Sequence, residues 1–440
     1  MNVESLIAHY RCPERFAKFN ATTSLNTEPV FELENARIAL TRNADGNGRA
    51  SLDVGELAKH LQQELYLEGN PGRYGPSGLV RDIYYTVRPL LPPKLRRILQ
   101  KSFLRKRHLS FPAWPVDTSL ETFHASLMAE AIRQNGGEPI PFIWFWPENA
   151  SSALVMTHDV ETARGLESVA ELMELDMSHA IRASYQLIPE ARYQIPAHLI
   201  AQIRAAGNEV NVHDLRHDGR LYSDIANFPG KAEKVNRHVE DFGAQGFRAA
   251  CMYRRPEWYS NFKFSYDMSI PNVALWEPQP GGCCTVFPYF IGDILELPLT
   301  TTEDYTLFSI LDETSISLWR TQADLILARN GLVSFLVHPD YILGETERQY
   351  YRELLEHITA LRDRHGAWIA LPGQVNSWWR QRSKMVLKPT YLGWKIEGEG
   401  SERASVAYAS LENGRVSFRL RFVAVAGLAL RLAESVSVLF

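Results

Sequence analysis

The chain has 440 residues, 45% hydrophobic and 22% charged, a balance that excludes a disordered chain and exceeds what one ordinary core holds. Its formal net charge of −4 excludes a general affinity for nucleic acid. No run of about eighteen uninterrupted apolar residues occurs, so no helix is expected to span a bilayer. The N-terminus shows no basic stretch followed by an apolar run, and the apolar segment 422–430 is stopped by Arg431. Cys12, Cys251, Cys283 and Cys284 form no C-x-x-C pair, so free thiols in a reducing compartment, the cytoplasm, are expected.

Residues 1–150 read as a mixed α+β region. Asn43-Ala44-Asp45-Gly46-Asn47-Gly48 is spaced like the start of a calcium loop, but position twelve is Val54, and a Gly-rich turn is the better reading. The segment 81–108 carries Arg81, Arg88, Lys94, Arg96, Arg97, Lys101, Arg105, Lys106 and Arg107 against Asp82 alone. Within it Pro92-Pro93 opens a helix whose apolar face is Leu95, Ile98, Leu99 and Phe103. Packing of that face on the body of the protein is the simpler expectation. The other is peripheral contact with an anionic inner membrane surface, where a lipid-linked glycan could be met. An aromatic linker, Phe111–Asp117, then leads into a helix over Leu120–Gln134, and its rings could rim a sugar site.

Residues 151–383 alternate short apolar runs with amphipathic helices. The runs are Ala153–His158, Ala183–Ile188, Glu209–His213, Phe247–Tyr253, Phe264–Ser269, Ile294–Leu299, Val333–His338 and Trp368–Leu371. Helices are expected over Ile195–Ala206 and Tyr350–His365. This alternation predicts an α/β fold with a mostly parallel sheet closed into a barrel. Polar residues at C-terminal strand ends would face an active site, and His158, Asp159, His213, Arg248, Asp267 and His338 all fall there. Residues 384–440 form a small β-rich tail: Tyr391, Trp394 and Ile396 alternate, a turn follows at Glu397–Gly400, and Val416, Phe418, Leu420 and Phe422 alternate again.

Chemistry concentrates in four places. His213 and His217 at i, i+4 would present two imidazoles from one face of a helical turn to a divalent cation. Glu161 or Asp159 supplies an oxygen ligand, and the remaining carboxylate can take a proton from water. Arg248 would hold that base ionised, and His338, before Pro339-Asp340, could protonate a leaving group. No G-x-S-x-G, H-E-x-x-H or P-loop pattern occurs.

In their order, Thr157–Glu161, His213–His217, Gly246–Arg248 and Val337–Pro339 resemble the motifs of the polysaccharide deacetylase family, the NodB-homology or carbohydrate esterase 4 group. The resemblance covers about residues 150–383 and implies a distorted parallel (β/α) barrel. It makes Asp159 the general base, His213 and His217 metal ligands, Arg248 the tether of the base and His338 the general acid. Val160 stands where the family has a ligating aspartate, so Glu161 takes over that role; Asp214 stands where Ser or Thr is usual. Asp267 with Trp276 is the candidate for the family's aspartate–tryptophan motif. The resemblance further implies a divalent metal, zinc first, a carbohydrate substrate, and hydrolysis of an N-acetyl or O-acetyl group from an amino-sugar polysaccharide or its precursor. Two other readings stay open: an amidase acting on a non-sugar C–N bond, and a catalytically silent glycan-binding protein.

Overall fold

The computed structural model describes residues 4–17, 54–70, 73–75, 87, 91–105, 111–342, 344–391 and 393–420. The Asn43–Gly48 turn, the apolar segment 422–430 and much of the basic segment lie outside these residues.

Fourteen strands occur among the described residues: β1 (Ile140–Ile143), β2 (Ala153–Val160), β3 (Ala183–Leu187), β4 (Glu209–His213), β5 (Gly246–Arg248), β6 (Tyr266–Asp267), β7 (Tyr289–Ile291), β8 (Ile294–Glu296), β9 (Leu332–Leu336), β10 (Trp368–Ile369), β11 (Val386–Thr390), β12 (Gly393–Glu397), β13 (Val406–Glu412) and β14 (Arg415–Leu420). All eight predicted apolar runs supply strands of one sheet. In it β9, β2, β3, β4, β5, β6 and β8 run parallel side by side. β7 turns back antiparallel on β8. β2 is the axis of the arrangement: Ala153–Thr157 pair with β9, Met156–Val160 with β3, and Ala153–Leu154 with β10. All eight residues of β2 are buried, as expected where both sheet faces are covered.

Beyond β8 the backbone ladder gives way to side chains. Thr300 and Thr301 each donate a hydroxyl, 2.8 Å, to the carbonyls of Leu332 and Ser334. Ser334 N donates back to Thr300 Oγ1. The sheet therefore curls toward β9 through hydroxyl groups rather than a ladder, which is the distortion in this mostly parallel, half-barrel fold.

The crossovers include helices Val169–Ser178, Leu199–Ala205, Phe228–Phe242, Ser317–Leu327 and Glu345–His365. Phe228–Phe242 stops at Gly243, whose φ of 57° is left-handed and open to glycine without a Cβ penalty. Helix Ser119–Gln134, as predicted, leads into β1, which pairs antiparallel with β13, so segments before and after the barrel share one sheet with β14. Arg382 ties this sheet to the barrel: its Nε donates to Trp144 O (2.9 Å) and Nη2 to Ile143 O (2.8 Å). In the linker, Phe111 packs on Tyr66 and Trp114 on Trp276.

The basic helix forms over Pro93–Arg105, but the orientation expected of it is reversed. Leu95, Ile98, Leu99 and Phe103 are 42%, 62%, 46% and 42% exposed, while Leu104 is buried. Toward the body the helix is held by polar bonds: Tyr305 OH to Gln100 Oε1, and Lys101 Nζ to Asp312 Oδ1 at 2.5 Å. Periodicity identifies a shared face; it does not say which way that face points.

Candidate metal centre

The site is built where β2, β4, β5 and β9 end. Alternation along β2 sends successive side chains to opposite faces. Thr157 and Asp159 meet Arg248, whereas His158 points away. Its Nδ1 lies 2.9 Å from Val337 O and its Nε2 3.0 Å from Asp176 Oδ2, in a fully buried group with Tyr185 and Tyr351. His158 is thus a brace between β2, β9 and helix Glu345–His365, not a residue facing the site. Val160 is wholly buried, its carbonyl accepting the Tyr193 hydroxyl at 2.6 Å.

The chain turns after Val160 and delivers Glu161. Asp340 fixes this turn by accepting Glu161 N at Oδ2 (3.1 Å) and the Thr162 hydroxyl at Oδ1. Gly165 leaves the room that the Asp340 carboxylate fills. His213 closes β4, its Nδ1 3.1 Å from Arg248 O. That bond needs the proton on Nδ1 and leaves the Nε2 lone pair available; His213 Nε2 is buried and has no hydrogen-bond partner. The predicted helical turn between the histidines does not form. The segment bends through left-handed Asp214 (φ 55°) and His217 (φ 52°), and this loop sets the two rings 4.8 Å apart. Arg192 Nη2 clamps the loop through the His217 carbonyl.

One ligand atom each from Glu161, His213 and His217 lies within 4.8 Å of the others, with His217 Nε2 2.8 Å from Glu161 Oε1. Burial works against ionisation of Glu161, but His217, with His338 and His213, outweighs it and holds the carboxyl well below its ordinary range. Burial, with a smaller push from His217, takes His213 down to about 4 despite Asp159, which favours the neutral ring that a ligand needs. Burial also lifts Asp214 to about 6.

Beside this trio, Arg248 Nη1 donates to Asp159 Oδ1 (2.9 Å) and to Thr157 Oγ1 (2.8 Å), and Nε to Met268 O. Burial opposes the charge of Asp159; Arg248, His213 and His338 together reverse that and lower it. His338 follows β9 and is held twice by Asp304, which accepts its backbone N–H (2.8 Å) and its Nδ1 (2.5 Å). Its Nε2 lies 3.6 Å from Glu161 Oε1. Burial would lower the His338 pKa, but Asp304, Glu161 and Glu303 raise it well above 6.5.

All six predicted site residues therefore meet in one cluster. Besides His158 and the helical turn, the Asp267–Trp276 expectation fails. Asp267 is buried behind Arg248, accepting Tyr259 OH (2.6 Å) and Ser269 Oγ (2.7 Å), while Trp276 lies against Trp114. The carboxylate holding the late histidine is Asp304, which the sequence reading missed. Its signal was there: Thr300–Asp304 is a polar run just past the apolar Ile294–Leu299. A cavity of about 690 Å³, lined by Asn208, Glu209, Trp368 and Arg403 among others, lies at the other ends of β4 and β10.

No family model and no curated protein matches the chain. Similar solved structures include a Mycobacterium smegmatis protein assigned as a polysaccharide deacetylase, with 17% identity, a TM-score of 0.40, and coverage of 54% of this chain and 93% of that one. Puue allantoinase matches with 15% identity and a TM-score of 0.44, covering 53% and 92%. Peptidoglycan deacetylase PdaC from Bacillus subtilis matches with 11% identity and a TM-score of 0.32, covering 54% and 95%. Likeness at this level leaves the chemistry to be read from the chain's own residues.

Proposed function

We propose that the chain is a metal-dependent hydrolase that removes an acetyl group from the nitrogen, or an oxygen, of an amino-sugar polysaccharide or its precursor. One observation carries this reading: a carboxylate held by an arginine and an imidazole held by a carboxylate flank the Glu161–His213–His217 trio. The trio suits a cation. His213 offers a buried Nε2 that makes no hydrogen bond and lies 3.5 Å from Asp159 Oδ2, and a two-nitrogen, one-oxygen set makes zinc the first choice. Such an ion would polarise the acyl carbonyl and lower the pKa of water.

The chain's own groups supply the rest. Asp159 takes a proton from water as the water oxygen bonds the acyl carbon and the carbonyl electron pair moves onto oxygen. Arg248 keeps Asp159 ionised and oriented for that transfer. On collapse the C–N bond breaks, and protonated His338 gives its Nε2 proton to the departing amine, leaving acetate and a free amino sugar. Asp304 keeps His338 charged and turns Nε2 inward. The buried thiols of Cys12, Cys283 and Cys284 support a reducing compartment.

Metal content of the purified protein and of Glu161→Ala is the first test. Near-stoichiometric metal that is lost in the variant supports the trio; unchanged content moves the carboxylate ligand to Asp159 and undoes the base assignment. Acetate release from chito-oligosaccharides, present in the native protein and absent in Asp159→Asn, is the second. A metal-loaded protein that binds these sugars but releases no acetate would be a glycan-binding protein instead.

A further inference from the structure

We propose that helix Pro93–Arg105 docks the protein on an anionic phospholipid surface. An amphipathic helix of a water-soluble fold normally turns its apolar stripe to the core and its polar face to solvent. This one does the reverse: Leu95, Ile98 and Leu99 face outward, and Gln100 and Lys101 bond the body. Charge selects the occupant. Besides Lys101, which pairs with Asp312, the helix carries Lys94, Arg96, Arg97 and Arg105 and no Asp or Glu, in a chain of net charge −4. A second copy or a neutral apolar partner would cover the leucines but give that basicity nothing to meet. An anionic bilayer takes both, with the apolar side chains in the acyl boundary and the cations among the headgroups.

The position of the helix gives the contact a purpose. Gln100 is bonded to Tyr305, the Tyr305 ring packs 5.1 Å from Tyr341, and Tyr341 lies edge-on to His338 at 5.2 Å. Two side chains thus separate the docking helix from the site, so a docked protein would hold its site beside the surface. The docking stands on the helix alone; that it presents a membrane-borne glycan to the site rests on the deacylase reading.

The test is flotation of the full chain with vesicles of phosphatidylcholine, with and without phosphatidylglycerol. The native protein should float only with the phosphatidylglycerol vesicles and less well as salt rises. The double variant Ile98→Glu/Leu99→Glu should lose about 10-fold or more of its partition, and Arg96→Glu/Arg97→Glu should lose its dependence on phosphatidylglycerol. Acetate release from soluble chito-oligosaccharides should be unchanged in both, which separates this proposal from the fate of the site. Equal recovery with both vesicle types, or flotation of the glutamate variant like the native protein, overturns it. So does a dimer in light scattering that Ile98→Glu/Leu99→Glu splits while no vesicle binding occurs, because the face would then join two copies.

Discussion

Arg248 has carboxylates on both sides, and they behave in opposite ways. Toward the site, Asp159 takes Arg248 Nη1 at 2.9 Å. Behind it, Asp267 accepts Tyr259 and Ser269, and Glu296 accepts Ile270 N at 2.9 Å. All three are buried to 1% exposure or less. Burial pushes each upward, yet Asp159 ends below its ordinary range, whereas Asp267 is raised and Glu296 is raised well above. The difference is counter-charge. Asp159 has an arginine with two histidines near it, while Glu296 has the Asp267 carboxylate beside it, which adds to burial in raising its pKa. Equal burial thus favours the ionised form of the front carboxylate, which can accept a proton, and the protonated form of Glu296 behind it.

Breaking the front pair should have the largest effect. Asp159→Asn is expected to lower acetate release by about 10²- to 10⁴-fold. It should also cost about 3 kcal/mol in urea unfolding, because a buried guanidinium loses its carboxylate. Unchanged stability would mean that the arginine does not depend on this carboxylate. The next effect is expected at Asp304→Asn. It should lower kcat by about 100-fold through misplacement of His338, with KM and bound metal little changed. A variant that lost metal instead would show Asp304 supporting the trio rather than the imidazole.

The strands and the clustering of the six candidate residues were legible because each signal is local: a β-branched run, a motif of a few residues, or an apolar strand ending in histidine. What was hidden depends on direction or distance. Asp304 and His338 are 34 residues apart, and no spacing rule joins them. His158 and Asp159 are neighbours with opposite fates, decided by the pleat of β2 once Asp159 is known to face Arg248. The i, i+4 histidines suggested a helical turn, but left-handed Asp214 and His217 make a loop that brings the rings together another way. The threonine seam between β8 and β9 is equally silent in sequence, since a hydroxyl replacing a ladder bond leaves no periodic trace.

The smallest expected effect lies at the rear pair and sharpens the contrast most. Glu296→Gln replaces a carboxyl that is already protonated by an amide of the same shape, so metal content and acetate release should stay at the native level. Stability near pH 4 should change by about 1 kcal/mol or less, the scale of one altered hydrogen bond. The pH dependence is where the variant should differ. The pKa of Glu296 is raised well above its ordinary 4.5, so its contribution to stability is complete below 4.5 and is lost as pH rises through the folded value. In the unfolded chain the group ionises freely, and the native fold is penalised for keeping the proton. The glutamine variant carries no proton to lose, so its urea midpoint should fall less steeply than that of the native protein above pH 4.5. Parallel curves for the two proteins would place the retained proton elsewhere and remove the contrast across Arg248.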